Sequence, residues 1–192
     1  MPLPLQNDIV DPAKVAFLDR DGVINHDRSD YIKSLDEFHL LSRSLDALRL
    51  LFENGWSAIV ITNQSAIGRG LISLSSLDRI HSHLTNRVAE SGGCIADIFF
   101  CPHRPDEGCL CRKPKPEMIW RAAEKYGIDL SSAVMVGDRT KDIQCGQAAG
   151  CGHTILVRTG AGKMAEKELT QTDLKPSRIV KDLYDAVKWI VK

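Results

Sequence analysis

The sequence carries no net formal charge: 25 Lys plus Arg are matched by 25 Asp plus Glu over 192 residues. That excludes a broad basic face for nucleic acid or anionic lipid, so any anion site must be built locally. No stretch approaches the ~18–20 consecutive apolar residues of a membrane span. The opening Met1-Pro-Leu-Pro-Leu-Gln-Asn-Asp8 lacks the basic and apolar regions of a secretory leader, and a cytoplasmic protein is expected. Aromatic residues make up only 6%, and Trp56, Trp120 and Trp189 are too scattered for a base-stacking platform. They read as core or interface residues. Repeats and low-complexity tracts are also missing. Arg158-Thr-Gly-Ala-Gly-Lys163 imitates a phosphate-binding loop but has Val157 and Met164 where Gly and Ser or Thr are required.

What is present suits a globular fold. With 43% hydrophobic and 26% charged residues, the chain can close one core, and residues 1–192 read as a single domain. Short β-branched runs at Val15-Ala-Phe-Leu18, Ala58-Ile-Val-Ile61, Ile98-Phe-Phe100, Ala133-Val-Met-Val136 and Thr154-Ile-Leu-Val157, with a weaker Arg178-Ile-Val180, predict buried strands. Helical spacing separates them. Ser44 to Asn54, Pro116 to Tyr126 and Thr140 to Ala149 are each followed by glycine, and Leu77, Ile80, Leu84 and Val88 share a face of a helix predicted to be capped by Ser75. Alternating strands and helices predict a three-layer, Rossmann-like α/β fold with a parallel sheet. The Pro-rich first dozen residues read as a loose or edge-packed arm.

In such sheets the chemistry sits in loops beyond the carboxyl ends of the strands. Asp19-Arg-Asp21-Gly22 follows the first strand, Thr62-Asn63-Gln64-Ser65 the second, and Gly137-Asp138-Arg139-Thr-Lys-Asp142 the fourth. Taken singly these are a turn, a helix cap and an N-cap acid; three such loops together point to a site. A second cluster, Cys101, His103, Cys109 and Cys111, offers three thiols and an imidazole, the donors of a closed tetrahedral Zn²⁺ site. Buried, unligated cysteines are the alternative. Cys94, Cys145 and Cys151 read as small core residues, while His81 and His83, two apart on a helix, read as surface residues.

These motifs, from about Val15 to Thr159, resemble the haloacid dehalogenase superfamily of phosphatases. The resemblance implies that Asp19 is a nucleophile forming an aspartyl phosphate, and that Asp21 protonates the leaving oxygen and later deprotonates water. It implies Mg²⁺ held by the Asp19 carboxylate, the Asp21 carbonyl and Asp138, with Asp142 behind them. No large cap is expected, because Gly22 to Ser44 is too short to hold one. The zinc loop at 101–111 leading into Arg112-Lys113-Pro114 narrows the resemblance to sugar-bisphosphate phosphatases, with removal of one phosphate from a heptose bisphosphate as the implied reaction. On the same basis Asp27, Arg28, Ser29, Asp30, Thr62, Asn63, Gln64, Ser65, Arg112, Lys113 and Arg139 are expected to bind substrate. The expected partner is this small molecule alone, with no nucleic acid or membrane, bound by a monomer. Histidinol-phosphate phosphatase is the alternative substrate reading, and a non-catalytic zinc-stabilised interaction module the alternative of another class.

Overall fold

The computed structural model describes residues 10–192. Most of the anticipated N-terminal arm, residues 1–9, lies outside the described residues, but Val10 is buried against the core and Pro12 accepts from the Asp129 amide at 3.0 Å. Six strands form one sheet: β1 (Val15–Leu18), β2 (Ser57–Asn63), β3 (Ile95–Cys101), β4 (Val134–Gly137), β5 (His153–Val157) and β6 (Arg178–Val180). Their order is β3-β2-β1-β4-β5-β6, and every pairing is parallel. The helices are α1 (Ser44–Glu53), α2 (Leu74–Glu90), α3 (Glu117–Tyr126), α4 (Thr140–Ala149), α5 (Gly162–Leu169) and α6 (Leu183–Ile190). This is the predicted α/β arrangement, with a parallel sheet between two helical layers.

The period-2 alternation of the strands divides the core in two. Ala16, Leu18, Val60 and Val136 pack on one face with Leu48 of α1, Leu84 of α2 and Val187 of α6. Phe17, Ile59, Ile61 and Met135 pack on the other with Met118, Ile119 and Ala122 of α3. Central β1, fully buried on both faces, therefore projects Asp19 from the middle of the sheet, between the ends of β2 and β4. Between β1 and α1 the chain forms a short 3₁₀ turn, Leu35–Glu37, and two isolated β-bridges, Asp21 with Asn25 and Asn25 with Leu40, so no cap domain is inserted there. Among the described residues, no helix is long and apolar enough to cross a membrane.

Several expectations are corrected. Thr62 and Asn63 complete β2 rather than opening a loop, because parallel pairing with Phe100 and Cys101 continues to that point. The cap of α2 is Ser73, whose side chain accepts from the Ser76 amide at 3.1 Å, not Ser75. His81 is buried, at 8% exposure, because it lies one helical repeat from Leu77 and Leu84 on the inward face of α2. Trp120 is 48% exposed, with only its indole N–H tied down, to the Ala149 carbonyl at 3.2 Å. Of the three supposed core cysteines only Cys145 is fully buried; Cys94 and Cys151 are half-buried.

Leu84→Ala should lower unfolding free energy by about 2–5 kcal/mol in a urea titration, through lost burial and a residual cavity. Leu71→Ala, at a side chain 49% exposed, should change it by less than about 0.5 kcal/mol.

Candidate active site

The Asp19 amide donates to the Val136 carbonyl at 2.9 Å, extending the β1–β4 ladder by one residue and placing the Asp19 carboxylate at the carboxyl end of the central strands. The chain then turns through Gly22, whose φ of +86° lies in the left-handed region and whose amide donates to the Asn25 carbonyl at 2.8 Å. An added Cβ there would overlap the Asp138 carboxylate, so glycine is required on both counts.

Lys113 is entirely buried; its ammonium forms ion pairs with Asp19 Oδ1 at 2.9 Å and Asp142 Oδ1 at 2.8 Å and donates a hydrogen bond to the Ile61 carbonyl at 2.8 Å. Lys113, expected among the substrate ligands, does not line the cavity; its ammonium lies against Asp19, which does. Two bonds to Asn63 hold its backbone: the Lys113 amide donates to Asn63 Oδ1 at 3.1 Å, and Asn63 Nδ2 donates to the Lys113 carbonyl at 3.2 Å.

Asp19, Asp138 and Asp142 bring oxygen atoms within 4.8 Å of one another. Burial, opposed by Lys113 and reinforced by Asp142, pushes the Asp19 carboxyl up to about 6. Burial, with Asp19 and Asp142 adding to it, pushes Asp138 up to about 8. One Asp138 oxygen accepts from the Ala161 amide at 2.7 Å, whereas buried Oδ1 has no partner. An orphaned carboxylate oxygen beside a second acid fits a hard, oxygen-seeking divalent cation.

Asp21 differs from its neighbours. Burial opposes its charge, yet the Arg20 guanidinium and bonds from Asn25 and Gln64 hold its carboxyl below the usual range. Arg20 supplies Nε at 3.1 Å and Nη2 at 2.9 Å to Asp21 Oδ1, while Asn25 Nδ2 and Gln64 Nε2 each donate at 2.8 Å. Gln64 also donates to Thr62 Oγ1 at 2.9 Å, linking Asp21 to the end of β2.

A polar cavity of ≈ 260 Å³ opens above these acids. Asp19, Asp21, Asp27, Arg28, Ser29, Thr62, Asn63, Gln64, Ser65, Arg112 and Arg139 line it. Asp30 is not among them, because its carboxylate turns outward to Lys33 Nζ at 2.7 Å and to Arg28 Nε at 3.1 Å. Arg139 reaches across the rim to pair with Asp27 at 2.6 Å. Tyr31, Ile32 and Lys141 also line the cavity and were not anticipated. Lys141 could have been noticed, since it lies three residues after Asp138 in the first turn of α4.

Beside the cavity Cys101, His103, Cys109 and Cys111 converge, as their spacing suggested. Cys101 Sγ is 3.6 Å from Cys109 Sγ and 3.7 Å from His103 Nδ1; Cys111 Sγ is 3.8 Å from Cys109 Sγ and 3.3 Å from His103 Nδ1. A tetrahedral zinc site has S···S edges of about 3.8 Å and S···N edges of about 3.5 Å, so the cluster is consistent with a zinc loop. Arg112 Nη1 donates to the His103 carbonyl at 3.2 Å, which attaches this cavity-lining cation to the loop.

Residues 110–186 match the HAD-hydrolase-like family model. The chain is 48% identical over 146 residues to the D-glycero-beta-D-manno-heptose-1,7-bisphosphate 7-phosphatase of Pseudomonas aeruginosa, covering 76% of this chain and 82% of that one. The chain belongs to the D-glycero-D-manno-heptose-1,7-bisphosphate 7-phosphatase family. A member from Photorhabdus laumondii, named for the alpha anomer, is 42% identical over 154 residues, covering 77% of this chain and 84% of that one. The D,D-heptose 1,7-bisphosphate phosphatase of Bordetella bronchiseptica, solved with magnesium and phosphate, superposes with a TM-score of 0.87 at 39% identity, covering 93% and 98% of the two chains. Membership of this family agrees with the resemblance read from Asp19, Asp21, Thr62, Lys113 and Asp138.

Lys113→Met should destabilise the metal-free chain by about 3–5 kcal/mol at neutral pH, because two buried carboxylates lose their cation. The deficit should shrink as pH falls, since an unpaired acid can take up a proton. Urea unfolding of the wild-type and variant chains across pH checks both statements.

Proposed function

We infer that the chain is a Mg²⁺-dependent phosphatase that removes the 7-phosphate of D-glycero-D-manno-heptose 1,7-bisphosphate, within nucleotide-heptose synthesis for a surface glycan. The observation that carries this reading is Asp19, at 5% exposure on the cavity floor, with a buried ammonium at its back and two further acids beside it. Family membership supplies the substrate.

Lys113 favours the ionised form of Asp19, so an Asp19 oxygen attacks phosphorus as a carboxylate. The ester P–O bond breaks as the Asp19–phosphorus bond forms, and the leaving oxygen takes a proton from Asp21. The Asp21 carboxyl has to take that proton up beforehand, because Arg20, Asn25 and Gln64 favour its ionised form in the metal-free chain. Water then attacks the same phosphorus, giving its proton to Asp21; the Asp19–phosphorus bond breaks, releasing phosphate and restoring the carboxylate. Ester and water are consumed, and alcohol and phosphate are formed. The Asp19 and Asp138 carboxylates and the Asp21 carbonyl would hold Mg²⁺, which would supply positive charge to offset repulsion between nucleophile and phosphoryl oxygens. Thr62 and Ser65 offer hydroxyls and Arg112 and Arg139 offer guanidiniums to the substrate's oxygens, and Lys141 adds charge at the wall. Without a cap, selectivity rests on the loops that form the rim.

Zn²⁺ at the Cys/His cluster would be structural, because all four positions are protein ligands. The purified chain should contain about one zinc per chain by elemental analysis, and Cys109→Ser should lose that zinc and lower the melting temperature. A chain that is zinc-free, fully stable and unchanged by the substitution contradicts this role.

Phosphate release from both anomers of the heptose bisphosphate and from histidinol phosphate, with and without Mg²⁺, tests the function. Mg²⁺-dependent turnover should be fastest on a heptose bisphosphate, and Asp19→Asn should reduce it by at least about 10³-fold with the fold intact. Preference for histidinol phosphate would overturn the substrate, and near wild-type turnover by Asp19→Asn would overturn the mechanism.

A further inference from the structure

Among the described residues Arg20 is the largest side chain to be wholly buried, at 1% exposure. It stands between the two catalytic acids in sequence, and its guanidinium is divided between two tasks. Nε and Nη2 form a fork on the Asp21 carboxylate. Nη1 points the other way and meets His81 Nε2 at 3.1 Å, a contact across 61 residues of chain. A guanidinium has only donors, so Nε2 must be the accepting lone pair, and the imidazole must be neutral with its proton on Nδ1. Burial, with the Arg20 charge beside it, pushes the imidazole's pKa down to about 3, so the ring remains an acceptor throughout the neutral range.

Two aromatic rings flank the pair. The Phe38 ring lies 5.9 Å from the Arg20 carbon, and Phe100 meets the His81 ring edge-on at 5.8 Å. Neither ring can replace an acceptor for Nη1. Without His81, that N–H would be buried and unsatisfied, and the guanidinium could recover a partner only by rotating. Rotation would carry the fork with it, because the group is rigid and planar. Asp21 would keep its bonds from Asn25 and Gln64 but lose the fork that sets its angle. His81 does not itself line the cavity.

We propose that His81 is a positioning residue for the acid–base step: by accepting from Arg20 it fixes the guanidinium fork, and the fork fixes the direction in which Asp21 meets the leaving oxygen. This rests on the reading of Asp21 as the group that protonates that oxygen.

The test uses kcat/KM, which reports the chemistry only through the first cleavage of the ester bond. An alkoxide leaving from a sugar needs a proton, whereas 4-nitrophenolate leaves unassisted, so only the sugar ester senses the placement of Asp21. His81→Met preserves bulk and removes the strong acceptor; His81→Gln preserves bulk and keeps one. The Met variant should lose about 10–100-fold in kcat/KM on the heptose bisphosphate and less than about threefold on 4-nitrophenyl phosphate, with the Gln variant within about threefold of wild type on both. Arg20→Lys, which keeps the charge and removes the fork, should show the same selective loss, so the inference does not depend on one variant folding well. Equal losses on the two esters, no loss, or a Gln variant as impaired as Met overturns the proposal. Asp21→Asn is the reference: if its loss is selective for the sugar ester and that of His81→Met is not, the role of His81 alone fails. If Asp21→Asn loses both activities equally, the reading of Asp21 fails and takes the inference with it.

Discussion

The arrangement depends on one buried ammonium. The Lys113 ammonium pairs with Asp19 and Asp142 and donates to the Ile61 carbonyl. Three carboxylates crowd the end of β1 and α4, and the low-dielectric interior would drive protons onto them if no cation stood within hydrogen-bond reach. The raised affinity of Asp138 for its proton shows how strong that pressure is where Lys113 does not reach. The same charge that permits the acids to be buried also keeps the proposed nucleophile anionic, so stability and chemistry share one interaction.

Lys113 is held by covalent neighbours as well as by charge. Cys111 lies two residues before it, and Arg112, between them, lines the cavity while donating back to the His103 carbonyl. On the other side the paired bonds with Asn63 fasten the Lys113 backbone to the last residue of β2. A zinc-bound Cys/His cluster would therefore act at a distance, fixing a Pro-rich segment that has little core of its own so that one cation points inward and the next points into the cavity. Asp21 belongs to a separate network of Arg20, Asn25 and Gln64, which holds it ionised while Asp19 and Asp138 are pushed toward protonation. Asp19 and Asp21 thus have different environments, but in the metal-free chain these favour the proton at Asp19 and the charge at Asp21. The proposed roles need the reverse, with Mg²⁺ at Asp19 favouring its ionised form and Asp21 taking up a proton before it gives one.

Much of this was legible in the sequence because it is local. An apolar strand followed at once by acids marks a sheet edge with chemistry, and that pattern recurs after β1 and β4. Four zinc-type donors within eleven residues likewise announce a cluster. Less was legible where the partner lies far along the chain. That Lys113 pairs with Asp142 as well as Asp19 follows from how α4 packs beside β4, which no spacing encodes. Asp30 shares a loop with Asp27 but faces outward because Lys33 and Arg28 compete for it. The missed burial of His81 is different: its position four residues after Leu77 and three before Leu84 already placed it on the inward stripe, and residue type outweighed periodicity. The eight-residue helices α5 and α6 were too short for a sustained pattern, although Asp182 caps α6 by accepting from the Asp185 amide at 3.0 Å.

The central claim is that the carboxylate at the end of β1 becomes covalently phosphorylated. Rapid acid quench of the Mg²⁺-loaded chain during turnover of the heptose bisphosphate, followed by proteolysis and mass spectrometry, addresses this most directly. The account predicts that the peptide spanning β1 gains the mass of one phosphoryl group, with fragmentation assigning it to Asp19. Active turnover with no phosphorylated peptide at any quench time, or with the group on another residue, would contradict it.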